Sequence, residues 1–299
     1  MELYLWLIFS LAIGLTAGIF QNLFAKKYMV SDGDCFSFTL LRTFFSCVVL
    51  VLVAVISGDL ATPSLYTVLF GALYGFLTCT STVANTLALA KGGYATTSLV
   101  CSLQMLIPAF SGYFIWNEEI HYGQYIGIVL LFIGLFLCLW QGKEQRFSLK
   151  WLLCCLCNIA AVGTLGIVQK FHQNSDFKQE LNAFLIVAFA VSILYLGAVL
   201  LLLQRSPSTH TTGKLSLPLA LVAALVGACT AGNNLINTDL VGRMSSIIIF
   251  PVYNGAFMLL TLLASVLLFG EKFKVRQIAG FLIGAVGIVF IGNLVKNFL

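Results

Sequence analysis

Charge is what this sequence has least of. Only 9% of its 299 residues are Asp, Glu, Lys or Arg, while 60% are hydrophobic; soluble domains carry about 25% charged residues. With 16 basic and 11 acidic side chains, a folded body of this size could not cover a water-facing surface. That excludes a soluble enzyme, a nucleic-acid binder and a secreted disulfide scaffold. Histidine is as sparse: His121, His172 and His210 fall in expected loops and offer no proton relay through a core. The nine cysteines lie in or beside apolar runs, where they pack as small hydrophobes. Cys154 and Cys157 form a C-x-x-C, but no second pair or nearby histidine completes a zinc set. No metal and no cofactor is expected.

What is present is apolar bulk, including 25 Phe, and 26 Gly that permit close helix contacts. A spanning helix needs about 20 mostly apolar residues. Ten such segments can be read, roughly 3–23, 36–57, 65–90, 94–115, 122–141, 149–169, 181–203, 215–239, 245–269 and 275–295. Loop chemistry separates them, for example Gly58-Asp59 with Pro63, Gly92-Gly93 and Asn117-Glu118-Glu119. The first segment lacks a basic n-region and is too long for the apolar part of a signal peptide, so it is expected to stay as helix 1. The loops after helices 1, 3, 5, 7 and 9 hold 11 Lys and Arg, and the opposite side holds 4. By the positive-inside bias, both termini are expected outside the cytoplasm of a plasma-membrane protein.

The two halves repeat each other. Gly18-Ile19-Phe20-Gln21 in helix 1 matches Gly166-Ile167-Val168-Gln169 in helix 6. Helix 3 reads Gly75, Thr78, Ser81-Thr82, Asn85-Thr86, Lys91; helix 8, 152 positions on, reads Gly227, Thr230, Asn233-Asn234, Asn237-Thr238, Arg243. Asn117-Glu118, Gln124, Gly127 and Gly134 return 153 residues later as Gly270-Glu271, Gln277, Gly280 and Gly287. The expected fold is all-α, ten transmembrane helices as two five-helix repeats, residues 1–142 and 143–299. An odd helix number inverts the second repeat relative to the first, an arrangement that recurs in transporters with a solute site near the midplane.

These end-of-half signatures, with Leu41-Arg42-Thr43-Phe44 early in helix 2, resemble the ten-helix EamA-type branch of the drug/metabolite transporter superfamily. The resemblance implies two inverted five-helix repeats, secondary active transport without ATP, and in many members export of amino acids or other metabolites. Small four-helix multidrug relatives use a membrane-embedded Glu in helix 1; here that helix offers Gln21 and Asn22, and no carboxylate between Leu3 and Leu23.

Thr78, Ser81, Thr82 and Asn85 share one face of helix 3, and Thr230, Asn233, Asn234 and Asn237 one face of helix 8. Amides in hydrocarbon need partners, because an unpaired buried polar group costs about 2–7 kcal/mol. Two readings follow: hydrogen bonding between helices, or a wet cavity of neutral donors and acceptors. Helix 9 opens with Pro251-Val252-Tyr253-Asn254, where proline frees an upstream carbonyl; Gln104 and Pro108 in helix 4 are a looser counterpart. Candidate substrate-binding residues are thus Gln21, Asn22, Thr78, Asn85, Gln104, Asn234, Asn237, Tyr253 and Asn254. Arg42 could snorkel or meet a substrate, and Asp239 could couple a proton or pair with Arg243.

A polar lining almost without net charge suits a neutral or zwitterionic metabolite, such as an amino acid, held within the lipid bilayer. The expected function is a secondary exporter working by alternating access, with the proton a candidate coupling ion. Alternatives on the same fold are a sugar or nucleoside carrier and a flippase for a lipid-linked intermediate. A membrane-embedded enzyme is disfavoured, since the acids are dispersed. With both repeats on one chain, a monomer suffices.

Overall fold

The computed structural model describes residues 2–28, 32–59, 62–91, 97, 100–139, 148–204, 217–269 and 274–292. Among the described residues it holds ten α-helices, two 3-10 turns and no strand. The helices are α1 (Glu2–Tyr28), α2 (Asp32–Ser57), α3 (Leu65–Lys91), α4 (Leu106–Trp116), α5 (Tyr122–Leu139) and α6 (Leu149–Gln173). They continue as α7 (Leu181–Gln204), α8 (Leu217–Arg243), α9 (Ser246–Phe269) and α10 (Val275–Ile291). In hydrocarbon every backbone group must be satisfied within the chain, and helices do so locally. Leu5, Ile8, Ile56, Leu194, Leu202 and Val275 stand exposed, as lipid-facing side chains do.

Seven helices are long and apolar enough to cross a bilayer: α1, α2, α3, α6, α7, α8 and α9. The spans expected at α5 and α10 are shorter apolar helices, and α4 has only 11 residues. The fourth expected span is interrupted by a 3-10 turn, Ser102–Met105, immediately before α4. Pro108 then sits in the first turn of α4, where a missing N–H costs little. Pro251 lies inside α9, so the carbonyl four residues upstream, at Ile247, loses its usual donor.

By contacts the chain divides into two compact units, and each draws on both sequence halves. Unit 1 is Met1–Cys79 with Val168–Gly242, and unit 2 is Thr80–Ile167 with Arg243–Leu299. The boundaries fall inside α3 and α6 and before the last residue of α8.

In unit 1, α2 packs on α7, and Leu50, Phe184, Leu185 and Ala231 form a buried cluster. Small residues set the approach of its neighbours. A Cβ on Gly71 would lie 2.8 Å from the Phe184 carbonyl oxygen, and one on Gly75 would collide with the Ala188 carbonyl. A Cβ on Gly227 would lie 2.7 Å from the Arg42 carbonyl oxygen. Each tight crossing carries a serine bond: Ser46 donates to the Gly227 carbonyl at 2.8 Å, and Ser192 donates to the Gly75 carbonyl at 3.2 Å.

In unit 2, α5 and α10 are antiparallel partners joined by glycines. A Cβ on Gly127 would lie 2.7 Å from the Gly287 oxygen, and one on Gly287 would lie 2.7 Å from the Gly127 oxygen. Gly134 and Gly280 repeat this reciprocity at 2.6 Å in both directions. Asn117, in the left-handed conformation (φ 52°, ψ 35°), closes α4. Glu118 then turns onto the start of α9, where its Oε2 accepts from the Ser246 N–H and the Ser245 hydroxyl, both at 2.7 Å. A carboxylate there satisfies a free helix donor and meets the positive end of the helix dipole.

Candidate functional site

Unit 1 gathers six of the expected residues: Gln21, Arg42, Thr78, Asn234, Asn237 and Asp239. Arg42 reaches from α2 to α1, where its Nη1 donates to Gln21 Oε1 at 2.8 Å.

The α8 face divides by function of each amide. Asn233 donates to the Ser10 carbonyl of α1 at 2.8 Å. Asn234 donates to the Thr230 carbonyl at 2.8 Å, and its oxygen accepts the Tyr74 hydroxyl at 3.3 Å. These bonds hold α8 to α1 and α3. Thr78 and Thr230 turn their hydroxyl protons onto their own helices, at 2.8 Å to the Tyr74 carbonyl and 2.7 Å to the Val226 carbonyl. Asn237 differs. Its Oδ1 is buried and has no hydrogen-bond partner, a state that costs about 1–3 kcal/mol unless a ligand or water supplies the donor. Asp239 lies two positions on, one helical turn before Arg243.

Unit 2 holds Asn85, Gln104, Tyr253 and Asn254. Gln104 sits in the 3-10 turn before α4, and its Oε1 accepts Asn158 Nδ2 at 3.1 Å. Asn254 donates to the Phe250 carbonyl at 2.8 Å, just past Pro251, and the Tyr253 ring stacks parallel to Phe257 with centroids 6.3 Å apart. Asn85 is half-buried on α3. Asn22 falls within α1, but its side chain lies outside the described residues.

Three polar features escaped the sequence. Asn158, 4% exposed, completes the Gln104 bond from α6. Gln169 Nε2 donates to Thr238 Oγ1 at 2.6 Å, with both side chains buried. His172, expected in a loop, lies in the last turn of α6 and is 0% exposed. Here α6 runs on past Gln169 through Lys170, His172 and Gln173, all buried, while Phe171 between them turns outward. No group of three or more His, Cys, Asp or Glu able to hold a metal occurs among the described residues.

Apolar helices joined by glycine seams and polar bonds define a multi-pass membrane protein. Residues 4–140 match the EamA-like transporter family. Among solved structures 29 chains match. One, a crystal structure described only as that of a protein, is 15% identical over 95% of this chain and 98% of its own, with a TM-score of 0.73. At that identity the likeness is one of fold. No curated protein matches the sequence.

Proposed function

We propose that the chain is a secondary active transporter of the ten-helix EamA type, exporting a small neutral or zwitterionic metabolite across the plasma membrane by alternating access. Two inverted repeats, residues 1–142 and 143–299, build it. The observation that carries this reading is the reciprocity of the contacts. Ser46 of α2 bonds Gly227 of α8, and Ser192 of α7 bonds Gly75 of α3. Gly75 and Gly227 are the matched first residues of the helix 3 and helix 8 motifs, so each half reaches into the other in the same manner. The glycine pairs of α5 and α10 exchange in the same way. Contacts that map onto themselves when the halves are swapped are what a two-fold axis between the repeats produces.

The same pairing shows where the halves differ. Arg42 stands beside Gly227 as Ala188 stands beside Gly75, and Arg42–Ala188 and Ser46–Ser192 are both 146 residues apart. A guanidinium with no counterpart in the other half breaks the symmetry, and it suits the carboxylate of an amino acid. Asn237, with its unused oxygen, suits the ammonium or amide end.

Purified protein in liposomes loaded with a panel of amino acids, nucleosides and sugars tests the reading. Saturable efflux of one class, lost in Arg42→Ala or Asn237→Ala at normal expression, is the expected result; no saturable flux across the panel overturns it. A second reading, the lipid-linked flippase, draws on an apolar groove of about 450 Å³ lined by Val100, Leu103, Phe132, Phe136 and Leu137. Scrambling of a fluorescent prenyl-linked lipid by the same liposomes would favour it over solute export.

A further inference from the structure

At the end of unit 1 where α3 begins and α6 ends, polar side chains run in series into an apolar interior. Glu180 Oε2 accepts the Ser64 N–H at 2.9 Å and the Ser64 hydroxyl at 2.8 Å. Ser64 Oγ lies 3.1 Å from Thr67 Oγ1 and also accepts the Thr67 N–H at 3.2 Å. Thr67 Oγ1 lies 3.1 Å from His172 Nε2, and the other ring nitrogen lies 3.2 Å from the Gln173 amide. Glu180 is half-buried at the outer end, whereas Thr67 and His172 are 0% exposed. Rings close the rest of the surroundings. Phe184 stacks on the imidazole with centroids 4.3 Å apart, and Tyr66 lies parallel to it at 6.3 Å. Tyr66 in turn stacks on Phe70 at 4.2 Å and Phe177 at 5.4 Å.

Packing alone would be served by an apolar ring at position 172. What the chain supplies instead is carboxylate, hydroxyl, hydroxyl and imidazole at successive hydrogen-bond distances. Each of these can both give and take a proton. Gln173 completes the arrangement. Its amide can offer nitrogen or oxygen by a half turn, so the ring is satisfied with a proton on either nitrogen and when both are protonated.

We propose that Glu180, Ser64, Thr67 and His172 form a proton relay with His172 the binding site at its inner end, and that the proton is the coupling ion of the transport proposed above; this second half rests on that reading. In the uptake step a proton joins the Glu180 carboxylate from water. The carboxylic acid gives it to Ser64 Oγ as the Ser64 proton passes to Thr67 Oγ1 and the Thr67 proton to His172 Nε2. The result is an imidazolium, two hydroxyls restored and a carboxylate again. Phe184 presents its ring face to the cation formed. The titratable groups set against His172 are Tyr66 from α3 and Glu180 from the turn before α7. The end of α8, which meets Gln173 through Gly242, carries Asp239 and Arg243.

The relay is tested on the full chain in nanodiscs, without solute. His121→Gln and His210→Gln leave His172 the one histidine, and its imidazole nitrogens are followed by NMR from about pH 4 to about pH 9, a range that brackets ordinary imidazole titration. The expected result is conversion between neutral and charged rings. Proton exchange with water should slow about tenfold or more in Thr67→Val, the effect of about 1.4 kcal/mol on the transfer barrier. Ser64→Ala breaks the same chain outside the helix core and should slow exchange alike, which keeps the test decisive if Thr67→Val fails to fold. A ring that stays neutral throughout, or exchange unchanged in both variants, overturns the relay. In liposomes, saturable solute flux indifferent to a pH gradient refutes the coupling half while transport stands. Absence of any flux beside intact relay behaviour refutes the transport reading instead.

Discussion

A single methyl group added at Gly134 probes the seam between α5 and α10 most directly. In Gly134→Ala the new carbon would lie 2.5 Å from the Gly284 nitrogen, 2.6 Å from the Gly280 oxygen and 2.6 Å from the Gly284 α-carbon. Carbon–oxygen contacts normally sit at about 3.3–3.6 Å, so roughly 1 Å must be found. All three neighbours are backbone atoms of another helix, and no side chain can turn aside; the helices must part. Overpacking of this kind costs about 1–3 kcal/mol. Alanine also gains about 0.5–1 kcal/mol over glycine in a helix, which partly hides the effect. Gly197 in α7 supplies the control, because a Cβ there meets nothing within 4 Å. The propensity gain is common to both variants and cancels in the comparison. Gly134→Ala should therefore be less stable than Gly197→Ala by about 1–3 kcal/mol, read as melting temperature in nanodiscs or as reversible unfolding in mixed detergent. Adding Gly280→Ala should cost less than it does alone, because the first methyl has already moved the helices apart. Equal stability of Gly134→Ala and Gly197→Ala would refute the argument that backbone contact sets this seam.

Three other outcomes follow from the bonds described. Asn237→Leu should leave the melting temperature unchanged or raise it, since Oδ1 has no partner to lose; a loss comparable to that of a bonded amide would show that the oxygen is satisfied. Thr238→Val should cost about 1–3 kcal/mol by orphaning the Gln169 amide, whereas Gln169→Leu with Thr238→Val should recover most of it, as a double-mutant cycle in thermal melts will report. Glu118→Ala removes the carboxylate from the start of α9 and should cost about 0.5–2 kcal/mol, the usual value of a helix cap, with faster hydrogen exchange confined to residues 245–249.

Much of the candidate site was visible as a pattern but not as an arrangement. The spacing of Thr230, Asn233, Asn234 and Asn237 places them on one helix face, and they lie there on α8. Which amides hold helices together and which is left over depended on Ser10, 223 residues from Asn233, and on Tyr74, 160 residues from Asn234. The correspondence of α2 with α7 was invisible, because Arg42 faces Ala188 in that register and the shared residues are apolar apart from one serine. It emerged only from the Ser46 and Ser192 bonds. His172 was misplaced because a polar run from Gln173 to Glu180 reads as loop from its edges inward; the helix runs on because Thr67, Gln173 and the ring of Phe184 receive the imidazole.

The sequence by itself determined the solvent and the secondary structure. A chain with 9% charge and repeated apolar runs can bury its backbone polarity in lipid as helices, and that choice is made locally within each run. The glycine spacings in α5 and α10 were equally legible, since close approach needs a missing side chain wherever the partner comes from. Tertiary structure decided the pairing of polar groups and the division into two units that each take segments from both halves. Those depend on distances between residues far apart in the chain, and hydrocarbon offers no water to satisfy a group whose partner is not brought to it.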